Sequence, residues 1–130
     1  MERYLGRYSE IAYCLMRFFI GLAFAQHGIQ KVLGLLGGQK PPLASLAGVG
    51  GLIELVGGLL IAVGLFTGWA AFISSGEMAV AYFMVHASGG FWPIMNHGEL
   101  AVAYCFVFLY VATRGSGRYS LEHALFGGKR

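Results

Sequence analysis

The sequence is poor in charge. Asp, Glu, Lys and Arg make up 12% of its 130 residues, about half the share of a soluble domain. Mean hydropathy is +0.66. These values exclude a globular domain with a full polar shell and leave no room for a second domain. Cysteine is scarce too. Cys14 and Cys105 both lie inside apolar runs and form no C-x-x-C, so they read as small buried hydrophobes and not as a thiol relay. There is no C-x-x-C-H for haem attachment, no H-x-x-x-H and no soluble stretch to house a dinucleotide. Segments of alternating polarity, which an outer-membrane barrel needs, are missing. No small-residue cleavage pattern follows the first apolar run, so that run reads as a retained helix.

What the sequence does have is four apolar runs, near 9–30, 45–67, 69–88 and 98–113. Each approaches the ~20 residues a helix needs to cross a ~30 Å hydrocarbon core. The expectation is an all-α, transmembrane four-helix bundle in a single domain, with lipid as its surroundings. The 21 glycines fit membrane helices better than soluble ones. Four spans put both termini on one side, with Arg3, Arg7, Arg114, Arg118, Lys129 and Arg130, against Lys31 and Lys40 opposite. The positive-inside rule then sets the termini in the cytoplasm, and the protein in a cell inner membrane as a multi-pass chain. Basic residues gathered at helix ends do not suggest nucleic acid.

The few ionisable residues inside the runs are the candidate site. Glu54, Glu77 and Glu99 interrupt three runs and Arg17 the fourth. Intramembrane charge is costly and points to function or to a mutual pairing. In the first run Arg17, Gly21, Gly28 and Lys31 share one helix face. In the second, Gly50, Glu54, Gly57, Ile61, Gly64 and Gly68 form a small-residue stripe around a glutamate, the kind of surface on which membrane helices pack. Thr67-Gly68 reads as the tight turn into the third run. There Ala70, Ser74, Glu77, Ala81 and Ser88 repeat the pattern, and Tyr82 and His86 share another face. Asn96 reads as an N-cap with Glu99 at the third helical position. Ser120 reads as the N-cap of a short amphipathic tail over 120–126, with Leu121, Leu125 and Phe126 on its apolar side.

Counting residues inward puts Arg17 and Glu77 at nearly equal depth, with Glu54 about 6–8 Å further out. This predicts an Arg17–Glu77 pair with Glu54 reaching in, either as a static clasp or as a set in which Glu54 handles protons. The far end gathers His27, Lys31, His86, His97 and Glu99, with Tyr82, Trp92 and Asn96 nearby. His27, His86 and His97 are candidate metal ligands, although their spacing is no metal signature. His27, Tyr82, His86, Phe91, Trp92 and Glu99, with Glu54, could equally hold a quinone head group.

Four motifs run in order along the chain: R-x3-G-x6-G-x2-K from Arg17 to Lys31, E-x2-G-G-L-L-x3-G-L-x-T from Glu54 to Thr67, F-W-P-x2-N-x-G-E from Phe91 to Glu99, and G-x-G-x2-S-L-E from Gly115 to Glu122. Together they resemble the DoxX family of small four-helix membrane proteins over nearly the whole chain. The resemblance implies an association with membrane electron transfer, often beside a quinone, and it does not specify a reaction. The family loop often reads Asn-Gly-Gly-Glu, where this chain has Asn96-His97-Gly98-Glu99. Three functions stay open. One is a quinone-linked redox component, such as an oxidoreductase subunit. Another is a non-catalytic anchor for soluble redox enzymes. The third is a small metal- or proton-coupled transporter, which would need a homo-oligomer.

Overall fold

A computed structural model describes residues 1–127, and it is all-helical over them. The elements are α1 (Glu2–Leu5), α2 (Ser9–Gly28), α3 (Leu46–Val63), α4 (Thr67–Ala81), α5 (Pro93–Asn96), α6 (Glu99–Arg114) and α7 (Leu121–Phe126). A wide π-turn, Ile29–Leu33, extends α2. Another, Tyr82–His86, followed by the 3-10 turn Ala87–Gly89, extends α4. The four long helices thus match the four apolar runs to within a few residues. Two helical stretches, Glu2–Leu33 and Leu46–Val63, are long and apolar enough to cross a membrane. Lys129 and Arg130 lie outside the described residues.

Helix α2 packs on α3, α3 on α4, and α4 on α6. Each is antiparallel to the next. The first contact is the closest, because glycine lets backbone meet backbone. A Cβ added at Gly21 would lie 2.5 Å from the Ala62 nitrogen, and one at Gly28 would lie 2.3 Å from that of Leu55. So the face shared by Arg17, Gly21, Gly28 and Lys31 is the one turned to α3. The ring closes through aromatics: Phe24 of α2 meets Tyr104 and Phe108 of α6 at centroid distances of 5.1 and 4.7 Å.

The tight turn falls earlier than the sequence suggests. Gly64 caps α3 in the left-handed region at φ 77°, the usual way a helix ends on glycine. Phe66 follows at φ 49°, and α4 starts at Thr67. Asn96 does not cap α6 either. Its N-cap is Gly98, and Glu99 is the first helical residue. Asn96 is buried and ties the loop instead. Its Nδ2 donates to the Gly90 carbonyl (2.9 Å) and to the Tyr82 hydroxyl (3.2 Å), and its Oδ1 accepts from the Gly98 amide (2.8 Å).

The start of α2 and the segment after α6 meet at one end of the molecule, here the terminal end. The Tyr13 hydroxyl donates to the Gly115 carbonyl (2.6 Å). Glu10 accepts from the Arg114 guanidinium and the Arg118 amide, both at 2.6 Å. Ser120 caps α7 by accepting from the His123 amide (3.1 Å), as the sequence predicts. The Glu122 amide donates to the Gly64 carbonyl (2.8 Å), docking the tail on the end of α3.

Candidate functional site

The predicted Arg17–Glu77 pair does not form. Arg17 is 3% exposed, and its guanidinium goes to backbone carbonyls: Ile61 (3.0 Å), Ala62 (3.3 Å), Tyr119 (3.1 Å) and Ser116. The reason is directional. Helix side chains lean toward the N-terminus of their helix, which drops Arg17 toward the terminal end. There the last turn of α3 offers carbonyls without helical partners, and the non-helical 115–120 segment offers more. A planar group with five donors fits such a site better than it fits one carboxylate.

The cation that answers the buried carboxylates is Lys31. Its ammonium lies 2.9 Å from Oε2 of Glu54, which is 1% exposed. Lys31 sits in the π-turn after α2, opposite Gly51, where a Cβ would fall 2.6 Å from the Lys31 Cβ. The sequence held the signal, since Lys31 shares the face of Gly21 and Gly28 that meets α3. Glu77 of α4 joins the pair. The Glu54 and Glu77 carboxyl groups meet beside Gly50, where an added Cβ would lie 3.8 Å from Oε2 of Glu54 and 3.4 Å from Oε2 of Glu77. Oε1 of each is buried without a hydrogen-bond partner. Lys31 is paired with Glu54 and lines the same groove as Glu77, so one ammonium stands beside two carboxyl groups. The cluster is neutral when a single proton is held between them, because like charges at this range do not both persist.

Two cavities adjoin this cluster. A groove of about 450 Å³ between α3 and α4 has apolar walls that include Val49, Ile53, Ile73 and Val80, with Lys31, Gly50 and Glu77 as its polar part. A cavity of about 280 Å³ at the loop end is lined by Glu54, Lys31, His27, His86, His97 and Tyr104 among apolar residues. The three predicted histidines thus converge on one space. Their separations do not make a metal site: among the described residues no three His, Cys, Asp or Glu side chains close on a common point. His86 Nδ1 lies 3.3 Å from the Asn96 carbonyl, and the His27 ring meets Tyr104 edge-on at 6.0 Å. Sequence reasoning missed Tyr104. Its signal is the buried spacing Ala101, Tyr104, Phe108, Val111 along one face of α6.

The remaining candidates sit elsewhere. Tyr82, Phe91 and Trp92 line a third groove, of about 740 Å³, with Phe83, Cys105 and Phe106. The Tyr82 hydroxyl is committed there, donating to the Phe91 carbonyl (3.0 Å) and accepting from Asn96. The aromatic wall and the histidines predicted to share one ligand are therefore split between two spaces. Glu99 is exposed at the start of α6 and lines neither.

The DoxX family profile matches residues 12–87, a stretch that carries Arg17, Lys31, Glu54 and Glu77. A Haemophilus influenzae protein described as an "Uncharacterized protein" is 39% identical over 94% of this chain and 96% of its own. A Bacillus subtilis protein described as "Putative oxidoreductase CatD" is 28% identical over 97% of this chain and 96% of its own. No solved structure gives a significant match. With the profile spanning more than half of its length, this chain belongs to the DoxX family of membrane proteins.

Proposed function

We propose that this protein is a four-span component of a membrane redox system that takes the head group of a quinone-class molecule into the groove between α3 and α4. The observation that carries this reading is the position of the ionic cluster at the polar end of an apolar groove. A lipid-soluble redox carrier has an apolar tail and a ring with two oxygens. The groove walls suit the tail and ring. The Lys31 ammonium can donate to a carbonyl oxygen, and the Glu77 carboxyl can accept from a hydroxyl. The volume of about 450 Å³ falls in the usual range for small-molecule sites. The word oxidoreductase in the name of the Bacillus subtilis relative supports the redox class. The larger Tyr82–Trp92 groove is the poorer head-group site, since its phenol is already bonded within the loop. Acyl chains suit it better.

The same reading puts the terminal end in the cytoplasm of an inner membrane. Arg3, Arg7, Arg114 and Arg118 lie at that end, while Lys31 at the other is committed to Glu54, which sharpens the basic asymmetry.

Photolabelling with an azidoquinone in lipid vesicles tests the site. Saturable labelling of Val49, Ile53, Ile73 or Val80, falling several-fold in Glu77→Gln, is expected. Labelling confined to Phe91, Trp92 or Phe106, or none that saturates, overturns it.

A further inference from the structure

We infer that Glu77 and Glu54 form a two-carboxyl proton relay joining the lateral groove to the histidine-lined cavity at the loop end. The relay rests on the groove being the site of a protonatable ligand, and it adds where that ligand's proton goes. Glu77 lines the groove and not the cavity, whereas Glu54 lines the cavity and not the groove. Lys31 borders both. Between the two spaces the Glu54 and Glu77 carboxyl groups approach each other beside Gly50, the position in the α3 stripe that lines the groove without a side chain.

Two features make the contact a conductor instead of a clasp. One proton between two carboxyl groups beside one ammonium gives two neutral arrangements, so moving it from Glu77 to Glu54 creates no new buried charge. An O–H bond on Glu77 breaks as one on Glu54 forms. The unpartnered Oε1 atoms leave each carboxyl an acceptor free to take the next proton. A static clasp would have those oxygens satisfied, since an unmade buried hydrogen bond is costly.

Beyond Glu54 the groups that face the cavity are Lys31 and His27 from α2 and its π-turn, Tyr104 from α6, His86 from the extension of α4, and His97 from the loop. An imidazole is the side chain suited to take a proton from a carboxylic acid and pass it to water near neutral pH. The cavity, about 280 Å³, has room for several waters between these groups. His97 is exposed, so the path ends at the surface.

Infrared spectroscopy of the full chain in lipid vesicles tests the relay without a quinone. Glu122 is a second buried carboxyl, so every sample carries Glu122→Gln. The parent should show a protonated-carboxyl C=O band that shifts in D2O. Either Glu54→Gln or Glu77→Gln should abolish it, because the remaining carboxylate pairs with Lys31 as an ion. In His27→Phe/His86→Phe the band should persist, and its exchange with D2O should slow by roughly tenfold or more. A parent without the band, a band kept in Glu54→Gln, or unchanged exchange in the histidine variant overturns the relay. The groove assignment fails separately. A band that behaves as stated with no quinone labelling leaves a relay serving another protonatable occupant, whereas labelling without the band leaves the site and removes the relay.

Discussion

Lys31 and Glu54 share one 2.9 Å contact but not one environment. The carboxylate is buried and the lysine side chain is 36% exposed. Removing either partner therefore has unequal consequences. In Glu54→Gln the ammonium still has the Glu77 carboxylate as its partner. In Lys31→Met the buried Glu54 carboxyl and the half-buried Glu77 beside it have no cation, which should cost about 3 kcal/mol. Unfolding in detergent should rank Lys31→Met well below Glu54→Gln, and Lys31→Met/Glu54→Leu should recover most of the loss. Equal losses would mean that the pair is not asymmetric. Arg17 poses a different case, since it bonds to carbonyls. Arg17→Lys keeps the charge but loses the planar fork and should cost about 2–3 kcal/mol. It should also expose the 116–120 segment to proteolysis, while Glu77→Gln leaves that segment protected. That Arg17 and Glu54 would be buried was legible in the sequence, because each interrupts an apolar run. Their partners were not. Depth counted along two helices ignores the lean of each side chain, and a carbonyl acceptor in a non-helical tail has no sequence signal.

Among the elements, the α2–α3 contact carries the polar cluster. Gly21 and Gly28 bring the two backbones together, and that approach brings Lys31 to Glu54. A side chain at Gly28 meets backbone atoms that cannot yield. Gly28→Val should therefore cost about 3 kcal/mol or more and separate Lys31 from Glu54. Gly6→Ala, where an added Cβ meets nothing within 4 Å, should be silent in the same unfolding assay. Comparable losses for both would show that the glycine face is not the packing face. The four helices were legible because long apolar runs need little tertiary information to be read, and their stripes of small residues marked the packed faces. The ends were less so. Gly64 fits the small-residue stripe of α3 as well as it fits a left-handed cap, and only the chain reversal decides between them. Asn96 has the chemistry of an N-cap, but its amide reaches further as a loop staple.

For the whole molecule, the surface tells where it lives. Phe19, Phe72, Phe83, Phe106 and Trp69 are all well exposed around the long helices, far more apolar surface than a soluble monomer shows. Arginines ring the terminal end. Inside, the ionic side chains separate into two layers: Arg17 holding the tail at the terminal end, and Lys31 with Glu54 and Glu77 toward the loop end beside the groove. His27, His86 and His97 converge on one cavity with Glu54, as their grouping at the far end suggested, and Glu54 links that cavity to Glu77. That link depends on α3 and α4 meeting at Gly50, a long-range contact. The account as a whole turns on which cation neutralises the buried carboxylates in a bilayer. Solid-state NMR dipolar recoupling between lysine ¹⁵Nζ and glutamate ¹³Cδ, on the full chain in lipid, measures it. A strong short-range coupling that vanishes in Lys31→Met and in Glu54→Gln/Glu77→Gln is the result predicted here. No such coupling, with an arginine–glutamate coupling that vanishes in Arg17→Met and in Glu77→Gln, would contradict it.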